Sequence, residues 1–112
     1  MKEDELAAAV RAALVKLQGV TEVKMFGGVG FMLNGNLLVG ASKRGLLARV
    51  GRAAQAQALA HPGAAVMEMK GRRMEDYIRV SAAHLDTAAI RAWIKLARAH
   101  VETLPPKAKT KR

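Results

Sequence analysis

Positive charge is the chemistry this sequence offers most plainly. Lys70, Arg72 and Arg73 gather around one glycine, Lys43 and Arg44 precede another, and Arg49 and Arg52 lie close by. Arg91, Lys95 and Arg98 recur at i, i+4 and i+7, which puts them on one stripe of a helix. Cations grouped this way can hold phosphates or carboxylates. Lys43, Arg44, Lys70, Arg72, Arg73, Arg91, Lys95 and Arg98 are therefore the candidate contacts for nucleic acid or for a partner protein. A solvated helix face opposite Trp93 and Ile94 would produce the same stripe, and is the commoner origin of such a pattern. Stacking on bases needs aromatic rings between the cations. Phe26, Phe31, Tyr77 and Trp93 are the whole aromatic supply, and most of them read as core. Nucleic-acid binding by such a chain would be sequence-independent and sensitive to salt.

The residue types that carry catalysis are scattered. Cysteine is absent, so disulfides, thiolate metal sites and thiol nucleophiles have no residue to build on. His61, His84 and His100 stand at no ligand spacing, and none adjoins a metalloprotease-type acidic motif. Glu75 and Asp76 are adjacent, but neighbours on a strand point to opposite faces and cannot share a proton. Neither Ser42 nor Ser81 stands in a nucleophile-elbow context. Gly28-Val29-Gly30 begins like a dinucleotide fingerprint, yet Leu33 takes the place of the third glycine. Gly35 and Gly40 have phosphate-loop spacing, yet Ala41 stands where the lysine must be. Turns and close strand packing account for these glycines. The reading is a non-enzymatic protein with no catalytic, cofactor-binding or metal-binding residues. A pocket assembled from residues distant in sequence is the one enzymatic or ligand-binding alternative that this reading leaves open.

A chain of 112 residues accommodates one domain. Hydrophobic residues make up 51% and aromatic ones only 4%, so the core must be aliphatic. A small domain buries a modest share of its surface, which favours self-association. The net charge is +10, but Lys107, Lys109, Lys111 and Arg112 follow Pro105-Pro106. Without those four, fifteen cations face nine anions, a net +6, so the folded part is itself basic. The Met1-Lys2-Glu3-Asp4-Glu5 start is too acidic for a signal peptide, and no apolar run approaches the roughly 20 residues that span a bilayer. These features predict a cytoplasmic protein with no membrane contact.

The elements that must position these side chains follow from periodicity. Leu6, Val10, Leu14 and Leu17 recur at helical spacing, with Asp4 as N-cap and Gly19 as stop. Strands are expected over 23–26, 29–33, 37–41 and 46–50, with Asn34-Gly35 as a type I′ hairpin turn. A short helix over 53–60 ends at Pro62-Gly63. Two further strands cover 66–69 and 74–80. The last helix runs from about Asp86 to Thr103 and buries Ile90, Trp93, Ile94, Ala97 and Val101. Adjacent strands bracketed by helices predict an α+β fold: an antiparallel sheet of five to six strands with N- and C-terminal helices on one face. The other face then needs solvent-tolerant residues or a partner. Met25, Met32, Met67, Met69 and Met74 concentrate in the strands, as core filler or as a self-association surface. Residues 1–104 form the domain, and 105–112 read as a basic disordered tail.

The segment Met25-Phe26-Gly27-Gly28-Val29-Gly30-Phe31, with Gly35 and Leu46-Leu47-Ala48-Arg49-Val50, resembles the N-terminal domain of the TfoX/Sxy family. Gly71-Arg72-Arg73-Met74, Tyr77-Ile78-Arg79-Val80, Trp93 and Leu104-Pro105-Pro106-Lys107 extend the resemblance over roughly residues 6–107. It implies a two-layer α+β domain like that of secretion chaperones, acting as a regulatory module. The family is named for regulators of natural competence, which carry a second, C-terminal domain. This sequence covers the N-terminal type only, so a competence role is not carried over. The resemblance supplies no catalytic residues. The family pattern often has a glycine near Asp76, where this chain reads Glu75-Asp76-Tyr77. The expected partners are a second copy of the chain, as a homodimer, and an unknown protein; the alternative is sequence-independent nucleic-acid binding in a transcription- or competence-related role.

Overall fold

A computed structural model describes residues 2–25 and 27–107. Phe26 and the tail cations Lys109, Lys111 and Arg112 lie outside the described residues. Helix α1 (Glu3–Ala13) opens the chain, with Glu3, Asp4 and Glu5 in its first turn against the positive end of the helix dipole. The cap position is Lys2, two residues earlier than the expected Asp4. Lysine has no side-chain acceptor, so only the return half of a capping box forms: the Glu5 carboxylate accepts from the Lys2 N–H at 2.9 Å. The helix ends at Ala13, well before Gly19. Gly19 instead opens the sheet, where its carbonyl accepts from the Asn34 N–H at 2.9 Å.

Strands β1 (Val20–Met25), β2 (Gly28–Leu33), β3 (Asn36–Ser42) and β4 (Gly45–Arg49) form an antiparallel meander. Asn34 and Gly35 both have positive φ, 51° and 86°, as a type I′ turn demands. A short 3₁₀ turn (Arg52–Ala54) leads into α2 (Gln55–Leu59). Strands β5 (Ala64–Met69) and β6 (Arg72–Val80) make a hairpin, and a 3₁₀ turn (Ala82–His84) precedes α3 (Thr87–Val101). The Asp86 carboxylate caps α3 by accepting from the Ala89 N–H at 2.7 Å. The six strands form one antiparallel sheet in the order β1-β2-β3-β4-β6-β5. The architecture is the expected α+β sheet with terminal helices and one short helix.

Alternation, interrupted at two bulges, divides the sheet. On β4, Leu46 and Ala48 point into the main core while Leu47 points the other way. Ile78 and Val80 of β6 join Leu46, with Tyr77 on the opposite face. The main core holds Leu6 and Val10 of α1, Ala58 of α2 and all five expected residues of α3. All three helices therefore lie on one face. The register shifts between Phe31 and Met32 and again between Val66 and Met67, and each bulge re-aims the side chains beyond it.

The Leu104-Pro105-Pro106-Lys107 segment folds back on the β2–β3 turn. The Asn36 amide donates to the Pro105 carbonyl at 3.0 Å, and the Lys107 N–H donates to the Asn34 carbonyl at 2.9 Å. Backbone hydrogen bonding thus continues past the expected domain end at residue 104, as far as Lys107.

Candidate functional site

The face of the sheet without helices is apolar. Leu37, Leu47 and Met67 form its buried centre, with Met25, Met32, Met74 and Tyr77 packed around them. Val23, two residues before Met25 on β1, lies on the same face and is 44% exposed. Methionine suits this position physically, because its unbranched thioether adapts to irregular contact surfaces.

A depression of about 200 Å³ opens in this face. Its apolar wall is Met25, Leu47 and Met67, and Gly40 lies on its floor. Gly30 faces Gly40 across the β2–β3 pairing. A Cβ at Gly40 would make only ordinary contacts, 3.4 Å from the Val29 carbonyl oxygen and 3.7 Å from the Leu47 Cβ. The missing side chain is therefore space, not a steric necessity. Val29, Ala41 and Ser42 also line it, and its charged residues are Arg44, Lys70, Arg79 and the single carboxylate Glu68.

The Arg79 side chain is half-buried and makes no hydrogen bond or ion pair among the described residues. Burial, and then the nearby charge of Arg44, pull its pKa below the usual guanidinium range. Farther along the same face, the Arg49 guanidinium lies 5.6 Å over the Tyr77 ring and 3.8 Å from Asp76. The Arg49 Nε is buried without a partner among the described residues. Burial raises the Tyr77 phenol above its ordinary pKa. Glu75 turns instead to Arg52 at 2.6 Å, so the two adjacent carboxylates serve different cations.

The structure divides the eight candidate cations among three places. Lys43 and Arg44 stand at the β3–β4 turn and Lys70 at the β5–β6 turn, and Arg44 and Lys70 meet at the depression. Arg72 and Arg73 line a shallower hollow beside Arg52, Glu75 and Asp76. Arg91, Lys95 and Arg98 lie exposed on α3, in the opposite layer, and Arg98 is paired with Glu102 at 2.7 Å. Sequence reasoning missed Arg79 and Arg49 as site residues. The signal was present: Arg79 sits between Ile78 and Val80, so alternation sends it to the other face.

Residues suited to acid–base or metal chemistry are kept apart. His61 stands edge-on to Trp93 with ring centres 5.2 Å apart, His84 lies beside Gly63, and His100 beside Gly51. Among the described residues no group of three His, Asp or Glu could hold a metal ion. No helix of the described residues is long and apolar enough to cross a membrane. A Cβ at Gly28 would overlap the Ala41 carbonyl oxygen, so close strand packing requires glycine there.

An open antiparallel sheet with its helices packed on one face defines a small α+β domain. Residues 5–101 match the family described as TfoX N-terminal domain, and the chain belongs to that family. Membership supports a regulatory or competence-related module at the level of the family. No curated protein and no solved structure matches the chain.

Proposed function

We propose that this chain is a non-enzymatic regulatory module that acts by protein–protein contact, taking its partner on the helix-free face of the sheet. The observation that carries the reading is the apolar centre of the helix-free face, where the half-buried Met25, Met32, Met74 and Tyr77 surround the buried Leu37, Leu47 and Met67. Family membership supports the regulatory part. The reading includes a cytoplasmic location, for which the cysteine-free sequence is the support. Self-association belongs to it only through other surfaces, because stacking two copies by this face would bring two basic rims together.

A photo-crosslinking residue placed at Val23, on the open face, tests the reading in the native cells. The expected result is an adduct of defined mass from position 23 and none from a control at Lys95 on α3. Equal yields at both positions, or no adduct at 23, would refute it.

The alternative is sequence-independent nucleic-acid binding. One observation favours it: Arg91 and Lys95 are exposed and have no carboxylate partner among the described residues. Titrating labelled duplex DNA and RNA at low and moderate salt decides it, since absence of binding at low salt removes this reading.

A further inference from the structure

The depression at Gly40 combines three properties that rarely coincide on a solvated surface. Its wall is apolar, its rim carries three cations against one carboxylate, and one of those cations, Arg79, is half-buried without a counter-ion among the described residues. A guanidinium taken partly out of water and left unpaired is held at a cost, which an arriving anion removes. Arg44 adds a second positive group to the same rim, and the depressed pKa of Arg79 reflects both burial and that neighbour.

Size narrows the ligand. Sites for drug-sized molecules and cofactors occupy about 300–1,000 Å³, and this one offers about 200 Å³. A cavity of about 150 Å³ accommodates a benzene-sized group. One large apolar side chain therefore fits here, and a nucleotide does not. The lining residues include no aromatic ring on which a base could stack.

We infer that this depression is a docking site for an acidic peptide segment, with one apolar side chain seated between Leu47 and Met67 over Gly40 and an adjoining carboxylate held by Arg79 and Arg44. The inference rests on the proposed use of the open face for partner contact, and names the chemistry of the partner. Charge complementarity selects an acidic segment over a second copy of this basic chain. Arginine's planar fork suits a carboxylate, which it can grip with two parallel hydrogen bonds.

Fluorescence anisotropy of the whole chain with a short labelled peptide containing Phe-Glu-Glu tests the site, with Phe-Gln-Gln and Ala-Glu-Glu peptides as controls. The Phe-Glu-Glu peptide binds best, and each control is weaker by roughly tenfold or more, the scale of losing one charge-assisted contact or one seated side chain. Arg79→Gln weakens Phe-Glu-Glu to a similar degree while leaving the melting temperature unchanged or higher, since it removes an unpaired cation. Gly40→Val fills the floor and weakens the Phe-Glu-Glu and Phe-Gln-Gln peptides more than the Ala-Glu-Glu peptide. Equal binding of Phe-Gln-Gln, indifference to Arg79→Gln in a folded variant, or no binding of any peptide overturns the inference. An adduct from position 23 together with no peptide binding would sink this site alone and leave the partner-contact reading standing. Loss of the adduct would instead remove that reading.

Discussion

Asn36 offers the sharpest test of how the C-terminal segment is held. It is the one buried polar residue among those described, 4% exposed, and its amide donates to the Pro105 carbonyl at 3.0 Å. Replacing it with alanine removes that donor and the bulk of the amide. Pro105 itself is exposed, so water can reach its carbonyl once the amide is gone. The cost therefore falls near the lower end of the range for a stranded polar group, about 1–2 kcal/mol, which corresponds to about 4–8 °C in melting temperature at this size. Asn36→Asp is the discriminating variant. It keeps the shape but sets a carboxylate against a carbonyl, so it costs more than alanine at neutral pH. Burial against an acceptor raises that carboxyl's folded pKa above its unfolded value of about 4. A raised pKa means the stability is fully present below about pH 4 and is lost as pH rises through the folded value. Urea melts from pH 3 to pH 7 read the difference between Asn36→Asp and the parent chain, which cancels losses common to both. The deficit widens with rising pH while the urea m-value holds steady. An aspartate variant milder than alanine at pH 7, or a deficit independent of pH, would show that shape and not donation holds this segment.

Further outcomes follow from the same geometry. Asp86→Ala loses the α3 cap and costs about 1 kcal/mol in chemical denaturation, whereas Asp86→Asn costs a few tenths. Gly28→Ala is strongly destabilising because its Cβ meets the Ala41 carbonyl, while Gly40→Ala is neutral or stabilising by up to about 1 kcal/mol through the unfolded chain; similar melting temperatures for the two would contradict the strand packing described above. The raised Tyr77 phenol contributes stability below its unfolded pKa of about 10 that fades as pH rises through the folded value, and Tyr77→Phe abolishes that alkaline component in thermal melts.

Much of this architecture was legible because local signals and tertiary packing agree. The α3 stripe from Ile90 to Val101 reads directly as a buried face, and Asn34-Gly35 specifies its turn by demanding two residues with positive φ. Boundaries drifted where a residue type served another purpose. Gly19 looks like a helix stop, but its carbonyl is needed by Asn34. The adjacency of β6 to β4, with β5 at the edge, lies beyond local pattern, since either strand of a hairpin can dock. That placement brings Arg79 opposite Leu47. The site therefore escaped sequence reasoning in part: Arg44 and Lys70 were visible as separate turn cations, and only the strand order unites them with Arg79 at one depression. The α3 cations, grouped with them by charge alone, lie in the other layer.

The strand order also governs how the chain reaches its fold. Every pairing in the sheet joins strands adjacent in sequence except β4 with β6. The four-strand meander and the β5–β6 hairpin are each locally connected, whereas α3 packs back on α1, β3 and β4. Loop-closure entropy rises with the length of chain enclosed; within the sheet the Arg49–Tyr77 seam closes the longest loop, and the docking of α3 on α1 and β3 and the Pro105–Asn36 contact close longer ones still. Non-local joinings of this kind slow folding relative to the local hairpins on either side of them.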